Sequence, residues 1–362
     1  MGIGQYIQRL LPPLVKELTT RNIDVRILAS PNAFENTAAL QDLSEIVDVL
    51  PPLDYLPAKR YFWCATRLAR YSQQEALDVL LWLSNPIVLP WHPPSLAVIH
   101  DVNEWKAAEK YGNYLKTTLR SWIYLDASLQ FARRIIAISQ ATERDLLHFR
   151  PSLAGSQKLV TILNGADSPL TTLPSIEINT PLAPFLLSVG RIDPLAKRLP
   201  EAVSLVQALR NSSGQAWELH LVGGMNDTTR SAGEAFLKSV EPLPWVIYHG
   251  YLEDQELAQW YRQATAVVFL SNDEGFGFPI AEAASLGRWV VVSQANQAGV
   301  EAGAGSIIPI NPDDPQAAAA TLLRQLQRQP APVTSSTLPR WQMGAARYAE
   351  EVKALLKNRN SP

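Results

Sequence analysis

The chain has 362 residues, more than one hydrophobic core usually organises, so two domains of roughly 150–200 residues are expected. Apolar residues make up 47% and charged residues 18% of the composition, which excludes a mainly disordered chain. The formal net charge of −2 excludes a global basic field that would attract nucleic acid, so no nucleic-acid partner is predicted and any attraction to an anionic membrane must be local.

Cysteine usage and hydropathy indicate the cellular compartment of the protein and whether the chain spans a membrane. The single cysteine, Cys64, cannot form an internal disulfide, and the sequence has no cysteine–histidine cluster with metal spacing. A cytoplasmic location is therefore predicted. No apolar run reaches the ~18–20 residues that a membrane-spanning helix needs, and the N-terminus lacks the layout of a signal peptide.

The first half opens with a helical pattern over 4–20, without the strand that normally precedes the glycine-rich turn of a doubly wound sheet. A parallel sheet cannot easily lose a central strand, so we expect this domain to lack its first strand and the polypeptide to begin upstream of Met1. Strands are predicted over 24–29, 46–50, 77–83, 96–99, 134–138 and 158–163, and further helices over 57–72, 104–132 and 141–148.

A stretch rich in Ser, Thr and Pro, from Asp167 to Pro184, is the predicted linker. Beyond it, strands are predicted over Phe185–Val189, Trp217–Val222, Trp245–His249, Ala266–Leu270, Trp289–Ser293 and Ser306–Ile308, alternating with helices over 198–210, 229–239, 254–264, 279–287 and 315–328. This alternation is typical of a doubly wound parallel sheet. A Pro-rich passage over 329–339 precedes a final amphipathic helix from Trp341 to Leu356.

Two α/β halves in tandem suggest a cleft between two domains. We assign 1–170, together with a crossover helix over 341–358, to the first domain and 171–340 to the second.

The segment from Glu274 to Glu282 follows the strand predicted over Ala266–Leu270, and it comprises the end of a polar, glycine-bearing loop (Ser271–Gly277) and the start of a helix near Pro279. Ligands of open α/β sheets gather at the carboxyl ends of strands, and a helix N-terminus favours an anion there. A diphosphate would fit this position. The two carboxylates would bracket it, and each can accept hydrogen bonds from the hydroxyls of a ribose or a hexose.

The same segment resembles the E-x7-E signature of glycosyltransferase family 4, a family of retaining enzymes with the GT-B fold of two Rossmann-like domains facing across a cleft. The resemblance extends in order through Gly2-Ile3-Gly4-Gln5-Tyr6, His100-Asp101, Ile138-Ser139 with Thr142, Asn164-Gly165-Ala166-Asp167, Val189-Gly190-Arg191 with Lys197, Leu221-Val222-Gly223-Gly224 and His249-Gly250-Tyr251. It implies that Glu282 holds the donor ribose and that Glu274 contacts the donor hexose near the reacting centre. A purely structural alternative is that an acidic residue near a helix start complements the helix dipole.

Two cations follow the first strand of the second domain. Arg191 lies at its end, beside Gly190, and Lys197 begins the next helix, so both can neutralise a departing diphosphate. The resemblance assigns them this role. Arg198 is the alternative to Lys197, and solvated surface cations are the alternative to both.

His100 lies at a strand end of the first domain, where the resemblance predicts contact with the donor sugar. The alternative is a purely structural histidine. Asp101 either fixes the histidine tautomer or caps the following turn. Gly2 and Gly4 open the first helix, where missing side chains permit close approach to phosphate.

The remaining donor-site candidates are main-chain positions in the second domain. They are Gly223, Gly250 and Tyr251 as walls for the nucleotide, and the loop residues Gly275, Phe276 and Gly277. Glycines are also needed in ordinary strand-to-helix turns. Asn164-Gly165 is interpreted as hinge geometry rather than catalysis.

A basic, aromatic helical stretch begins Lys59-Arg60-Tyr61-Phe62-Trp63 and continues with Arg67 and Arg70. Such a face can rest on anionic lipid, which suggests peripheral contact with the inner face of a membrane. The alternative is a core-facing helix with solvated cations.

The resemblance implies a hexosyltransferase that uses a UDP- or GDP-hexose as donor substrate and a saccharide or lipid-linked saccharide as acceptor. No cofactor and no divalent metal are expected, because arginine and lysine take the electrostatic place of a metal. The alternatives are a GT-B epimerase or phosphorylase, and a catalytically silent GT-B partner subunit.

Overall fold

The computed structural model describes residues 2–103, 105–106, 125–177, 183–328 and 338–359. Outside them lie Met1, residues 104 and 107–124 of the helix predicted over 104–132, residues 178–182 of the predicted linker, residues 329–337 of the Pro-rich passage and residues 360–362. The chain divides into two compact units, unit 1 (Met1–Gly165 with Pro339–Pro362) and unit 2 (Ala166–Leu338).

The described residues of unit 1 contain six short parallel strands. They are β1 (Ile27–Ala29), β2 (Val47–Val49), β3 (Leu80–Trp82), β4 (Ser95–Ile99), β5 (Arg134–Ala137) and β6 (Leu159–Thr161). β1 pairs with β2, and the others form a separate sheet in the order β3-β4-β5-β6. β4 is buried along its whole length, so it lies in the core of its sheet.

The helices of unit 1 begin with the first described residue. They are α1 (Gly2–Thr20), α2 (Pro31–Glu35), α3 (Ala38–Asp42), α4 (Pro57–Trp63), α5 (Ala69–Gln74), α6 (Ala127–Phe131) and α7 (Gln140–Phe149). A π-helical segment, Cys64–Leu68, joins α4 to α5. The C-terminal helix Trp341–Arg359 packs on α1, and the hydroxyls of Tyr6 and Tyr348 are 2.8 Å apart in that buried contact.

Unit 2 is a single six-stranded parallel sheet with helices between consecutive strands. Its strands are β7 (Phe185–Val189), β8 (Glu218–Val222), β9 (Val246–Gly250), β10 (Ala266–Phe269), β11 (Val290–Ser293) and β12 (Ile307–Ile310). Its helices are α8 (Leu199–Ser213), α9 (Arg230–Val240), α10 (Asp254–Gln263), α11 (Phe278–Ser285), α12 (Gln297–Gly303) and α13 (Pro315–Arg328), so that the C-terminal helix becomes α14.

The strand order of unit 2 is β12-β11-β10-β7-β8-β9. Counted from β7 as its first strand, this is the doubly wound order 3-2-1-4-5-6, which reverses direction between β7 and β10. Ligands of such sheets bind outside the carboxyl ends of the strands at this reversal. A ligand site is therefore expected at the loops that follow β7 and β10.

The two units differ at the centre of the sheet, where β7 lies in unit 2. In unit 2 the first strand, β7, lies between the second strand, β8, and the fourth, β10. In unit 1 no strand of the described residues lies between β1 and β3, which leaves both as sheet edges. The prediction of an α/β fold of two Rossmann-like halves is confirmed, and the first half shows the break in its sheet that the sequence predicts.

Three short helices were not predicted from the sequence: α2, α3 and α12. Each has only five to seven residues, too few for a 3.6-residue period to be recognised. In the described part of the chain, no helix combines the length and the apolar character needed to span a membrane.

Candidate functional site

The candidate site of unit 2 lies where β7 and β10 end side by side. The two strands are parallel neighbours, with Ala266 opposite Leu186 and Val267 opposite Leu187. A small pocket at this edge is lined by residues 188–192, Lys197, Leu199 and residues 269–270. The sheet order thus brings together the loops that carry Arg191 and Glu274, although more than 80 residues separate them in the sequence.

Glycines hold the neighbouring strand ends close together. Gly190 and Gly223 follow β7 and β8 and have φ values of +146° and +137°, which residues with a side chain rarely adopt. A Cβ atom on Gly223 would lie 1.9 Å from the carbonyl oxygen of Gly190. The Gly223 N–H donates to the Gly250 carbonyl oxygen at 2.7 Å, so the ends of three strands approach through their main chains.

The central charge contact of the site is an ion pair between the Lys197 ammonium and the Glu274 carboxylate. Both side chains are about one-fifth exposed, at 20% and 22%. The ammonium also lies 4.6 Å from the centroid of the Phe269 ring, at the end of β10. A cation held over an aromatic face and beside one carboxylate is already positioned before an anionic ligand arrives.

Arg191 is the more exposed cation of the two predicted for this site. Its side chain is 42% exposed, and its guanidinium lies 3.1 Å from the carboxylate of Asp193. Asp193 also accepts a hydrogen bond from the Ala196 N–H at 3.1 Å, so it closes the turn that leads to Lys197. The cation remains accessible to a ligand at the strand end.

Arg198, the alternative to Lys197, is committed to other contacts. Its guanidinium forms ion pairs with Glu201 and Asp313 and donates to Asn272 Oδ1 at 3.2 Å. It has a left-handed backbone conformation, with φ of +51°, at the start of α8. Lys197, and not Arg198, is therefore the cation that contacts Glu274.

Glu282 is almost fully buried, with 3% of its surface exposed. It lies one turn into α11, and Tyr261 of α10 donates a hydrogen bond from its hydroxyl to Glu282 Oε2 at 3.0 Å. Tyr261 is itself fully buried. A carboxylate at this depth needs such donors, because burying an unpaired charge is costly.

Sequence reasoning overlooked Tyr261. The residue lies in a helix whose apolar spacing predicts only a core side chain, and nothing in that spacing indicates that its hydroxyl reaches a carboxylate on the next helix. Tyr261 is a positioning residue for Glu282.

The loop between the two carboxylates is shaped by buried rings. Phe276 and Phe278 are 7% and 9% exposed and pack in a T-shaped contact with ring centroids 5.2 Å apart. Gly277 has φ of +96° and precedes the first residue of α11. The Phe276 ring is therefore part of the packing of this loop, and the predicted contact of Gly275 and Phe276 with a donor stays a prediction.

The last donor-site candidates of unit 2, Gly250 and Tyr251, lie at the end of β9 and just after it. The pairing of β8 with β9 shifts register, so that Val222 is opposite Gly250 and His249 is the extra residue of a bulge. Gly250 has φ of +72°, and Tyr251 after it is 67% exposed. The Tyr251 side chain is thus available for contact at this edge.

His100 lies at the end of β4 in unit 1. Its Nε2 is 2.8 Å from the carbonyl oxygen of Leu83, and the Tyr6 ring packs edge-on against it at 4.7 Å. Burial lowers the pKa of His100 below its usual value. Since a carbonyl only accepts, the neutral ring carries its proton on Nε2 and leaves Nδ1 as an acceptor.

Two other motifs of unit 1 have local structural contacts. Asp101 Oδ1 accepts a hydrogen bond from the Asn103 N–H at 3.1 Å, so Asp101 caps the following turn. At the other motif, a Cβ atom on Gly165 would lie 2.4 Å from the main-chain nitrogen of Trp341. Glycine is required there by the close approach of α14.

Gly2 and Gly4 lie in the first turn of α1. A Cβ atom at either position would meet no atom within 4 Å. The protein's own packing therefore does not demand glycine at these positions, and their predicted role against a phosphate stays a prediction.

Two family models together match most of the chain. Residues 5–168 match the model described as Glycosyltransferase Family 4, and residues 183–328 match the model described as Glycosyl transferases group 1. The two matches meet near the division between the two units.

Two curated relatives match shorter segments. The chain is 37% identical over 83 residues to the O-antigen chain mannosyltransferase B of Escherichia coli, which covers 23% of this chain and 22% of that protein. It is 32% identical over 149 residues to a D-inositol 3-phosphate glycosyltransferase of Thermomonospora curvata, covering 39% and 34% respectively. The matched segments thus span about a fifth and a third of these relatives.

Solved structures share the fold over nearly the whole chain. A sucrose-phosphate synthase from Thermosynechococcus elongatus superposes with a TM-score of 0.64 at 20% identity, covering 96% of this chain and 90% of that one. Anabaena HepE in complex with UDP and glucose superposes with a TM-score of 0.61 at 16% identity, covering 99% and 95%.

Proposed function

The chain belongs to the group 1, family 4 class of glycosyltransferases, and from that premise we propose that it is a retaining hexosyltransferase that uses a UDP- or GDP-hexose. The observation that carries the proposal is the ion pair of Lys197 with Glu274 at the point where the strand order of unit 2 reverses. A cation and a carboxylate at this edge match two adjoining parts of a nucleotide sugar, its diphosphate and its hexose.

In this proposal, Arg191 and Lys197 bind the diphosphate. The carbon–oxygen bond between the hexose and the diphosphate breaks, negative charge develops on the leaving phosphate, and the two cations stabilise it there. Lys197 exchanges its contact with Glu274 for one with the phosphate. Glu274 then accepts hydrogen bonds from the hexose hydroxyls.

Glu282 binds the ribose of the donor nucleotide. Its hydrogen bond from Tyr261 fixes one carboxylate oxygen, which orients the group for a pair of adjacent hydroxyls. The main chain at Gly223, Gly250, Gly275 and Gly277, with the exposed Tyr251, forms the walls around the nucleotide. HepE, which holds UDP and glucose, has the same fold.

The transfer retains the anomeric configuration and uses no protein nucleophile. The acceptor oxygen attacks the anomeric carbon on the face that the diphosphate leaves, and the acceptor proton passes to a diphosphate oxygen. The two cations supply the charge that a divalent metal supplies elsewhere, so activity is expected to persist in excess EDTA.

Unit 1 takes the acceptor, a saccharide or a lipid-linked saccharide, and contributes His100 with its free Nδ1 as an acceptor for a donor-sugar hydroxyl. The relative from Escherichia coli is named for mannosyl transfer to the O-antigen chain, which supports an acceptor of this class. A lipid-linked acceptor goes together with peripheral membrane contact through the basic, aromatic stretch that begins at Lys59.

A thermal-shift panel of UDP, GDP and ADP, each with its matching sugars, tests the donor assignment. A ligand that binds only the native state raises the melting temperature. The stabilising donor is then incubated with and without saccharide acceptors, and the product anomers are resolved by NMR.

The rival functions give different results in these assays. Inversion at C2 without transfer would indicate an epimerase, and phosphate-dependent cleavage would indicate a phosphorylase. A chain that neither binds a nucleotide nor slowly hydrolyses a donor would be the silent partner subunit, and the proposal would be wrong.

A further inference from the structure

The helical segment that runs from α4 through the π-helix to α5 has an unusual exposed face. Leu56 immediately precedes α4 and is 74% exposed, and Phe62, near its end, is 68% exposed. Trp91, on a separate loop, is 55% exposed. Large apolar side chains exposed to this extent, two on or beside one helix and a third on a loop bonded to the same helical segment, indicate an interaction surface.

The π-helix holds Trp91 in place. The Trp91 indole N–H donates to the carbonyl oxygen of Ala65 at 2.8 Å, and His92 Nε2 lies 2.9 Å from the carbonyl oxygen of Cys64. Ala65 is three residues from Phe62, so the indole is fixed within one helical turn of the phenyl ring. The π-helical segment thus holds the two aromatic groups near each other. A π-helix is a helical irregularity of a kind that is common at functional sites.

The charges around these groups have one sign. Residues 55–74 contain four cations and no acidic residue, whereas the whole chain has a formal net charge of −2. Lys59, Arg67 and Arg70 are exposed. Within the described residues, none of these three forms an ion pair with a carboxylate. Together with Phe62 they recur at helical spacing and share one side of the segment.

We propose that this aromatic–basic face, defined by Leu56, Phe62 and Trp91 with Lys59, Arg67 and Arg70, binds the surface of an anionic lipid bilayer. Tryptophan and phenylalanine insert at the level of the headgroups, and long cationic side chains beside them reach the phosphates. The proposal deepens the proposed function by naming the surface that approaches a lipid-linked acceptor. The reason for membrane binding rests on the proposed function, whereas the vesicle-binding test does not depend on it.

Charge complementarity favours a bilayer over a protein partner. A protein interface with an apolar centre normally has a rim of mixed charge, whereas residues 55–74 carry only cations. The acidic residues that flank this segment have other contacts: the Asp54 carboxylate accepts a hydrogen bond from the Asn32 N–H, and Glu75 is paired with Arg26. Each cation near an anionic surface is expected to strengthen binding roughly fivefold at low salt, and each inserted side chain on the order of tenfold.

The test is co-sedimentation of the full chain with vesicles made of equal parts of phosphatidylglycerol and phosphatidylcholine, compared with vesicles of phosphatidylcholine alone. We expect binding to the first that weakens as salt is added, and little binding to the second. Equal binding to both, or none to either, would overturn the proposal. Salt-independent self-association seen by light scattering would instead assign the face to a second copy of the chain.

Two variants separate the apolar and the ionic contributions, and each has a matched control. Leu56→Ser with Phe62→Ser is expected to weaken vesicle binding on the order of a hundredfold, while Met343→Ser with Val300→Ser, also at exposed apolar positions, leaves it unchanged. Serine is a favoured residue at the helix start that Leu56 occupies, so the first variant is expected to fold.

The ionic variant replaces Lys59, Arg67 and Arg70 by Gln and is expected to weaken binding by a similar factor and to remove its salt dependence. Its control makes the same change in net charge at the exposed cations Lys238, Arg324 and Arg347. If both triple variants lose binding equally, the attraction comes from overall charge and the face is not the site.

The melting-temperature shift with the donor nucleotide is measured on every variant. An unchanged shift shows that the variant is folded and that its donor site is intact. Vesicle binding without any nucleotide shift would contradict the proposed function and leave the lipid surface standing, whereas the reverse result would contradict only the lipid surface.

Discussion

Replacing Glu274 by Gln separates the two roles that we propose for Lys197 and Glu274. The substitution keeps the shape of the side chain and removes its charge, so the Lys197 ammonium loses its carboxylate partner. Lys197 also keeps its contact with the Phe269 ring, which holds the cation near the strand end. The diphosphate then has no charged competitor for that cation.

The cost in stability follows from the burial of the pair. Fully exposed ion pairs contribute about 0.2–1 kcal/mol, whereas breaking a buried pair costs about 3–5 kcal/mol. With each partner about one-fifth exposed, and an amide oxygen still able to accept a hydrogen bond, we expect a loss of about 1–2 kcal/mol in the free energy of unfolding. The variant therefore stays folded at room temperature.

The catalytic effect is expected to be much larger than the binding effect. Removing one group that stabilises charge or orients the sugar in the transition state costs about 10²–10³ in kcat. The thermal shift with the nucleotide diphosphate should be equal to or larger than that of the wild-type chain. Initial rates of donor consumption, measured over a range of donor concentrations, give kcat and KM separately.

Glu234→Gln is the control for this experiment, because Glu234 is an exposed glutamate on α9 and the substitution changes the net charge equally. It should leave binding and rate unchanged. If Glu274→Gln loses nucleotide affinity by the same factor as its rate, Glu274 is a binding residue and the division of roles between the two carboxylates is wrong.

Three further substitutions probe the groups that shape the site. Tyr261→Phe removes the hydrogen bond to the buried Glu282, so we expect a loss of about 1–3 kcal/mol in urea unfolding and weaker nucleotide binding; unchanged affinity would remove Tyr261 as a positioning residue. Gly223→Ala places a Cβ atom against the Gly190 carbonyl oxygen and should cost at least about 1–3 kcal/mol, and a melting temperature like that of the wild-type chain would refute this. Burial lowers the pKa of His100, so the unfolded chain binds the extra proton first and stability falls as the pH drops below about 6.5. His100→Gln should flatten that decline in the urea midpoint, and an identical pH profile would contradict the assignment.

The strands of unit 2 could be predicted closely because they are buried on both faces. Phe185–Val189 agrees with β7 at both ends, and Ala266–Leu270 exceeds β10 by one residue. A parallel strand covered by helices must be apolar along its whole length, and such a run is visible in the sequence without any knowledge of its neighbours. The short helices α2 and α3 carry no comparable signal.

Sequence spacing alone does not distinguish the two adjacent cations, Lys197 and Arg198. Lys197 was preferred over Arg198 by resemblance alone, since both follow the same strand. Only the fold shows that Arg198 is paired with Asp313, a residue more than 100 positions away, while Lys197 contacts Glu274. Sequence spacing cannot contain this distinction, because both ion pairs join segments that the sheet brings together.

The sequence by itself determined the periodic elements of the chain and the residue types that follow its strands, because burial and turn geometry constrain each segment locally. Only the tertiary structure decided which of those residues meet. The order of the strands in unit 2 brings the ends of β7 and β10 together, the depth of Glu282 requires the hydroxyl of Tyr261, and the break between β1 and β3 distinguishes unit 1. These features depend on contacts between distant segments, and packing energy, rather than local propensity, selects them.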